Sequence, residues 1–134
     1  MNQQDNYIAG EAKMLEFNDP QDASLPSFAH ISDQLNALAP GMDQLIKGFV
    51  FGQIYTREGL DNQQRMLITL SSLATLGAEK QLTLYINNTL NVGASPRQVL
   101  ETFIQLIPYI GFPRVLNVLS ITQEVFKQRG LSVE

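Results

Sequence analysis

Apolar positions along the chain recur at spacings of three and four residues, and the alternation of apolar and polar residues typical of strands is absent. The first pattern covers residues 7 to 17 and gives way to Asn18-Asp19-Pro20. A second ends before Pro40, and a third runs from residue 42 to 50 with the same apolar stripe. The second pattern places four apolar side chains on one helix face: Phe28, Ile31, Leu35 and Leu38. These patterns predict an all-α protein.

Capping residues mark the next helices. Asp61 is followed three residues later by Gln64, and Ser95 by Gln98, which is the spacing of a capping box at a helix start. The first of these helices is expected to run to Gly77. Its apolar side chains lie on nearly all faces, which predicts a central helix: Met66, Leu67, Leu70, Leu73 and Leu76.

Glycine and proline delimit the remaining helices. One helix is expected from about Glu79 to Gly93. Pro108 is expected to break or kink the helix that begins at Ser95, and the last helix is expected to run from Pro113 to a C-terminal cap at Gly130. The chain is thus predicted to form one domain, residues 1–134, with an N-terminal helical extension and a core.

Charge is scarce and unevenly distributed. Charged residues make up 16% of the 134 residues, against roughly 25% in ordinary soluble domains. Because several helices lack a charged face, we expect much of their surface to contact another subunit. The segments without charge are residues 66–78, 81–96, 102–113 and 115–123.

Composition excludes several kinds of chemistry. The chain has no Cys, so it has no disulfide, no thiolate nucleophile and no thiolate zinc site, and one His cannot build a histidine metal cluster. A formal net charge of −4 disfavours nucleic acid as a partner. No leader and no apolar run long enough to span a membrane are evident, so we expect a cytoplasmic protein without a membrane partner.

Tyr85 is the centre of a polar cluster on an uncharged helix. Gln81, Asn88 and Thr89 lie three or four residues away, and therefore on the same helix face. Tyr85 is interpreted either as a proton donor in a pocket or as a core tyrosine whose hydroxyl is bonded to a neighbour.

Arginines supply the candidate anion-binding groups. Arg114 lies close to Tyr109 in the turn before the last helix, where it could clamp a substrate carboxylate, form a structural salt bridge or cap helix carbonyls. Arg57 and Arg65 flank the start of the helix after Asp61 and allow the same alternatives.

Four motifs in this order resemble the carboxymuconolactone decarboxylase family: YTREGLD, LGAEKQL, LNVGAS and YIGFPR. The similarity extends from about Phe51 to Phe126, and the segment YIAGEAKML resembles the family's N-terminal helix. The resemblance implies a compact orthogonal bundle of about six to seven helices, as in the alkylhydroperoxidase D-like superfamily, with an N-terminal extension at residues 1–40 and a family core at 41–130. It also implies a ring-like homo-oligomer, a trimer or hexamer, with pockets near subunit contacts.

The resemblance further implies decarboxylation of 4-carboxymuconolactone, or of a related small acid, without metal or organic cofactor. Arginine would hold the carboxylates, and an acid would deliver a proton to carbon. By this reading the catalytic residues are Tyr85, Arg114 and Arg65. The substrate-binding residues are Arg57, Tyr109, Glu79 and Asn88, although Glu79 at a helix start also fits a partner of the helix dipole.

Tyr85 occupies the position where the family usually carries a histidine. A tyrosine of pKa near ~10 is a poorer base at neutral pH than an imidazole near ~6.5. Three interpretations follow: Tyr85 replaces the acid, the pocket acts on another substrate, or catalysis is lost and a metabolite-binding or scaffolding oligomer remains. The thiol peroxidase chemistry of the related alkylhydroperoxidase D branch is excluded, since it requires cysteine.

Overall fold

The computed structural model describes residues 2–22 and 27–133, and within them the regular secondary structure is entirely helical, with no strand. This confirms the prediction of an all-α protein. Seven α-helices and one π-helix follow in chain order: α1 Gln3–Leu15, α2 Phe28–Leu38, the π-helix Gln44–Ile54, α3 Asn62–Leu76, α4 Glu79–Asn91, α5 Pro96–Ile104, α6 Ile107–Ile110 and α7 Phe112–Arg129.

The chain divides into two compact units, residues 1–62 and residues 63–134. We call them the N-terminal unit and the C-terminal unit and describe each by itself. The former holds α1, α2 and the π-helix, and the latter holds nearly all of α3 and the helices that follow it.

Helix ends in the C-terminal unit follow the predicted caps. At the start of α5, the Gln98 backbone N–H donates to Ser95 Oγ at 3.1 Å, and the Ser95 N–H donates to Gln98 Oε1 at 2.8 Å. Gly130 ends α7 in the left-handed conformation, with φ of 65°. Pro108 does not lie in α5, as predicted, but in the first turn of α6, where proline is tolerated. Helix α5 already ends at Ile104.

The core of the C-terminal unit is built from one face of each helix. Leu70 and Ala74 of α3 belong to this core, and Met66 extends the same buried stripe. Ile68 and Leu76 are 52% and 76% exposed. The prediction that α3 is surrounded on all faces is therefore wrong for the chain alone, because only its i, i+4 stripe is fully buried. The core residues from the later helices include Leu82, Ile86, Val99, Phe103, Val118, Val125 and Phe126.

The N-terminal unit has an aromatic core. The ring of Phe17 lies 5.6 Å from Phe28 and 6.0 Å from Phe51, measured between centroids, and both pairs meet edge to face. Tyr55 joins the cluster at 4.5 Å from Phe51. Such pairs add to the stabilisation that comes from burying the rings.

Helix α2 forms where its sequence pattern predicts, but its apolar stripe is largely not covered. Phe28 and Ser32 are its buried residues, whereas Leu38 is 81% exposed. Ile31 and Leu35 are also exposed. The apolar face of α2 is therefore a surface of this chain.

The third apolar pattern forms a π-helix and not the predicted α-helix. At its end, the Tyr55 backbone N–H donates to Val50 O, five residues earlier, at 2.9 Å. Bonds from i to i−5 put more residues in each turn than an α-helix has, so the expected stripe loses its alignment. Leu45 and Phe49 are exposed as a result, and the π-helix buries Lys47, Gly48, Phe51 and Gly52.

Helix α1 and the π-helix approach each other through two glycines. A Cβ on Gly10 would lie 1.6 Å from Lys47 O, and one on Gly52 would lie 2.2 Å from Asn6 O. Both positions therefore require glycine because backbone occupies the space of a side chain.

Candidate functional site

Helices α3 and α4 form an antiparallel hairpin that carries most of the predicted site residues. Gly77 and Ala78 join the two helices, and Gly77 takes a φ of 72° that favours glycine. At the other end, Gln63 Nε2 donates to Val92 O at 3.0 Å. The start of α3 therefore lies beside the end of α4. This register determines which residues of the two helices lie at the same height along the hairpin.

Asn88 is one of two buried polar residues on α4, the other being Thr89. Its side chain is 1% exposed, and Nδ2 has no hydrogen-bond partner among the described residues. A buried amide donor without a partner is destabilising, and such groups are rare in folded proteins. The site therefore offers a hydrogen bond that the described part of the chain leaves unfilled.

Tyr85 lies one helical turn before Asn88. Its ring is half-buried and packs against the core of the C-terminal unit. Thr89 Oγ1 donates to the Tyr85 carbonyl oxygen at 2.6 Å, within the helix. The i, i+3 spacing puts the Tyr85 and Asn88 side chains on one face of α4, about 4.5 Å apart along the helix axis.

Arg65 lies at the same end of the hairpin as Asn88. The antiparallel register set by Gln63 and Val92 places Arg65 level with Leu90, two residues beyond Asn88. Two residues correspond to about 3 Å along a helix. Arg65 is half-buried on α3.

Arg114 and Glu79 lie at the opposite end. Arg114 Nη1 donates to the carbonyl oxygen of Thr75 in the last turn of α3, and its guanidinium lies close to Gly77. This contact corresponds to the capping alternative for Arg114. Thr75 is ten residues from Arg65, or about 15 Å along α3, which is too far for one small acid to touch both ends.

The remaining predicted residues lie outside the hairpin. Tyr109 is on α6 and is 75% exposed. Arg57 belongs to the N-terminal unit, in the exposed segment after the π-helix. The register therefore places Asn88 near the Arg65 end of the hairpin, whereas Tyr85 lies level with Leu70, midway between Arg65 and Thr75.

A groove of about 840 Å³ runs between α5 and α7. Its walls are largely apolar, and they include Leu100, Ile104, Leu116 and Leu119. None of the predicted site residues lines it. This open surface is therefore separate from the chemistry proposed for α4.

The N-terminal unit contains a charged cluster around Lys47 that the sequence patterns did not predict. Lys47 lies on the π-helix and is 6% exposed. Its Nζ is 3.1 Å from Asp33 and 3.6 Å from Glu11, and it donates to Tyr7 Oη at 3.4 Å. Tyr7 Oη in turn donates to Asp43 at 2.9 Å. A lysine within the apolar run Leu45-Ile46-Lys47-Gly48-Phe49 was the available signal.

This cluster favours the protonated forms of its lysine and tyrosine. Burial by itself lowers the pKa of Lys47, but the hydrogen bonds to Asp33 and Tyr7, with the attraction of Asp33, outweigh it and hold that pKa above the usual value of 10.5. The hydrogen bond to Asp43, together with burial, raises the pKa of Tyr7 above 10.0. The cluster therefore links α1, α2 and the π-helix most strongly while both groups keep their protons.

Alkaline pH is expected to loosen the N-terminal unit. Both pKa values are raised in the folded chain, so the stabilisation is complete below about pH 10 and declines as pH rises through the raised values. Hydrogen exchange of α1 amides, corrected for intrinsic rates, checks this between pH 8 and 11. A Lys47→Met, Tyr7→Phe double variant that shows the same alkaline loss of protection would contradict the assignment.

The described residues include neither a membrane-spanning helix nor a cluster of metal ligands. No helix within residues 2–22 and 27–133 is long and apolar enough to cross a bilayer. Across the same ranges, no group of three or more His, Asp or Glu residues could hold a metal ion.

The fold and the hairpin define an all-α protein with a tyrosine, an arginine and a buried amide on two antiparallel helices. Residues 40–124 match the model of the carboxymuconolactone decarboxylase family, which covers more than half of the chain. The chain belongs to this family and is a decarboxylase-like member of it.

Three relatives illustrate the range of the similarity. A 4-carboxymuconolactone decarboxylase of Acinetobacter baylyi is 28% identical over 102 residues, 76% of either chain. A nitrosuccinic acid decarboxylase of Metarhizium robertsii is 29% identical over 63% of this chain and 59% of its own length. An uncharacterized 15.0 kDa protein of Paracoccus denitrificans is 35% identical over 58% of this chain, and the match spans 60% of its length.

Proposed function

We propose that this protein decarboxylates a small carboxylated lactone or related acid, without a metal or organic cofactor, and that Tyr85 is the proton donor. The observation that carries the proposal is the half-buried Tyr85 ring, held against the core on α4. The resemblance to the family implies a histidine at this position. A hydroxyl in a partly shielded site is suited to deliver a proton to carbon.

The reaction needs an electron sink and an acid. The bond between carbon and the departing carboxylate breaks, carbon dioxide leaves, and the electron pair remains as a dienolate-like anion on the substrate. The Tyr85 hydroxyl then gives its proton to that carbon, and solvent reprotonates the phenolate. Hydrogen-bond donors near the developing charge stabilise the anion.

Arg65 is our proposed carboxylate ligand. Its position at the Asn88 end of the hairpin supports this choice, whereas the contact of Arg114 with Thr75 supports a capping role for that arginine. A guanidinium binds a carboxylate through two parallel hydrogen bonds. Arg57 and Tyr109 remain proposed binding residues, and they would act from exposed positions. Glu79 also remains a proposed substrate-binding residue, at the opposite end of the hairpin from Arg65.

The relatives support decarboxylation more broadly than they support one substrate. One is named for a carboxylated lactone and another for nitrosuccinic acid, both small acids. The matches cover about three quarters of the Acinetobacter baylyi relative and about three fifths of the Metarhizium robertsii and Paracoccus denitrificans relatives. We therefore propose the reaction class and leave the acid open between these two types.

We further propose that the protein is a cytoplasmic homo-oligomer, a trimer or hexamer. Exposed apolar side chains on α2 and along the α5–α7 groove, together with a charge content of 16%, support self-association. In such an assembly these faces would lose their contact with water, which is favourable.

Replacement of the family's histidine by Tyr85 supports a second candidate function. A catalytically silent oligomer that binds a small acid would keep the fold and lose the need for a base near neutral pH. Such a protein would be stabilised against heat by dicarboxylates or lactones and would not convert them.

The test of the proposed decarboxylase is turnover of 4-carboxymuconolactone and nitrosuccinate by the native chain. Each is incubated with protein while substrate loss and carbon dioxide release are followed, and Tyr85→His is assayed in parallel. We expect conversion of at least one acid by the native chain. Activity of Tyr85→His alone would favour the silent oligomer, since the site would then bind the acid and lack only the proton donor.

A further inference from the structure

The polar side chains on either side of Asn88 are partnered. Asn87 Oδ1 accepts from Arg129 Nη1 at 3.0 Å, and Asn87 Nδ2 donates to Thr83 O at 2.9 Å. Thr89 donates to the carbonyl of Tyr85. Asn88 is more deeply buried than Asn87, yet its Nδ2 has no partner among the described residues.

A leucine at this position would fill a similar volume without the cost of the unfilled donor. Replacing an unsatisfied buried polar group with an apolar group of similar shape is neutral or stabilising. Among the described residues, the Nδ2 donor of Asn88 is thus a polar group that the fold leaves without a hydrogen bond. Destabilising polar groups of this kind are typical of functional sites.

We propose that Asn88 is a substrate-binding residue that determines specificity, and that its Nδ2 donates to a carboxylate oxygen of a small acid. This inference rests on the proposed function, because the ligand is the acid that Tyr85 and Arg65 would process. Because Nδ2 is a hydrogen-bond donor, it selects a ligand that carries an acceptor oxygen at this point. An analogue without that oxygen leaves the amide unfilled and binds more weakly.

Asn88 and Arg65 both lie toward the end of the hairpin where α3 begins and α4 ends. Along the helix axes, the level of Asn88 differs by about 3 Å from that of Arg65 and by about 4.5 Å from that of Tyr85. A carboxylate between them would receive a charged partner and a neutral donor. Because Asn88 is buried, binding of a ligand at Nδ2 requires neighbouring side chains to move.

The variant Asn88→Leu separates a ligand role from a structural one. We expect its Tm without ligand to be unchanged or raised by roughly 3 °C, because the unfilled donor is removed. We expect its affinity for 4-carboxymuconolactone, nitrosuccinate or succinate to fall by about 100-fold, the size of a lost hydrogen bond to a charged group. Thermal shift titrations measure both quantities, with dimethyl succinate as the uncharged probe.

Asn87→Leu is the matched control, because it removes an amide that is partnered inside the chain. It is expected to lower Tm and to leave the affinity for the three acids unchanged. If Asn88→Leu does not fold, Asn88→Ala tests the same loss of the amide.

Two results would overturn the inference: wild-type affinity for the acids in the Asn88 variant, or no stabilisation of the wild type by any of the three. Failure of the decarboxylase proposal looks different. Acids that bind the wild type, lose affinity in the Asn88 variant and are never converted would retain the binding role and remove the reaction.

Discussion

Replacing Tyr85 with Phe is expected to lower turnover of the accepted acid by about 100-fold or more, the usual effect of losing a general acid. Phe keeps the ring that packs against the core of the C-terminal unit and removes only the hydroxyl. Without the hydroxyl, the anion formed on the substrate has no protein donor and must take its proton from water, so each turnover is completed more slowly. Steady-state kinetics on wild type and variant measure the effect.

The expected loss is in kcat, with KM changed little, because the hydroxyl acts after carboxylate binding. Oligomer size by light scattering and Tm serve as controls for folding. Turnover at the wild-type rate in Tyr85→Phe would remove Tyr85 from the mechanism. It would leave the alternative reading, a core tyrosine, as the better account of this position.

Local signals in the sequence predicted the helices of the C-terminal unit well. Ser95 with Gln98 and the terminal Gly130 act within one or two turns of their own position, so the cap residues alone specify these helix ends. The break near Pro108 was predicted less well, since α5 ends at Ile104. Proline prevents an α-helix from continuing through its position, but it does not determine whether the helix ends before that position.

The N-terminal unit shows what periodicity cannot supply. Residues 42–50 carry the stripe of an α-helix, yet the chain winds as a π-helix there and buries Lys47 in place of Leu45. That choice depends on Glu11, Asp33 and the phenol of Tyr7, which approach from other helices. Contacts between residues far apart in sequence leave no local pattern to detect.

The candidate site was predictable in its residue types and less so in its arrangement. Tyr85 and Asn88 share a face by spacing alone, and the structure retains that relation. Our proposal of Arg65 as the carboxylate ligand needed the register of the α3–α4 hairpin, which the contact of Gln63 with Val92 sets. Burial of the unpartnered Asn88 amide also needed the packed structure, since asparagine in a sequence is usually read as a surface residue.

Replacing Gly10 with Ala is expected to destabilise the N-terminal unit by roughly 3 kcal/mol, lowering its Tm by about 12 °C or more. The new Cβ would lie 1.6 Å from Lys47 O, 2.6 Å from Lys47 C and 3.0 Å from Gly52 N. All three are backbone atoms, so no side chain can rotate away, and α1 must separate from the π-helix. The separation would also loosen the ion pair of Lys47 with Glu11, which leaves a buried ammonium less well paired.

Gly48→Ala is the matched control, since Gly48 lies on the same π-helix and a Cβ there would meet only Gln44 Oε1, at an ordinary 3.5 Å. This substitution is expected to be neutral or stabilising by up to ~1 kcal/mol, because alanine reduces the freedom of the unfolded chain. Thermal unfolding followed by circular dichroism, with hydrogen exchange of α1 and α4, compares the two variants. If Gly10→Ala and Gly48→Ala unfold at the same temperature, the close approach of α1 to the π-helix is not a feature of the protein in solution. A loss of hydrogen-exchange protection confined to α1 would place the destabilisation in the N-terminal unit, where Gly10 contacts the π-helix.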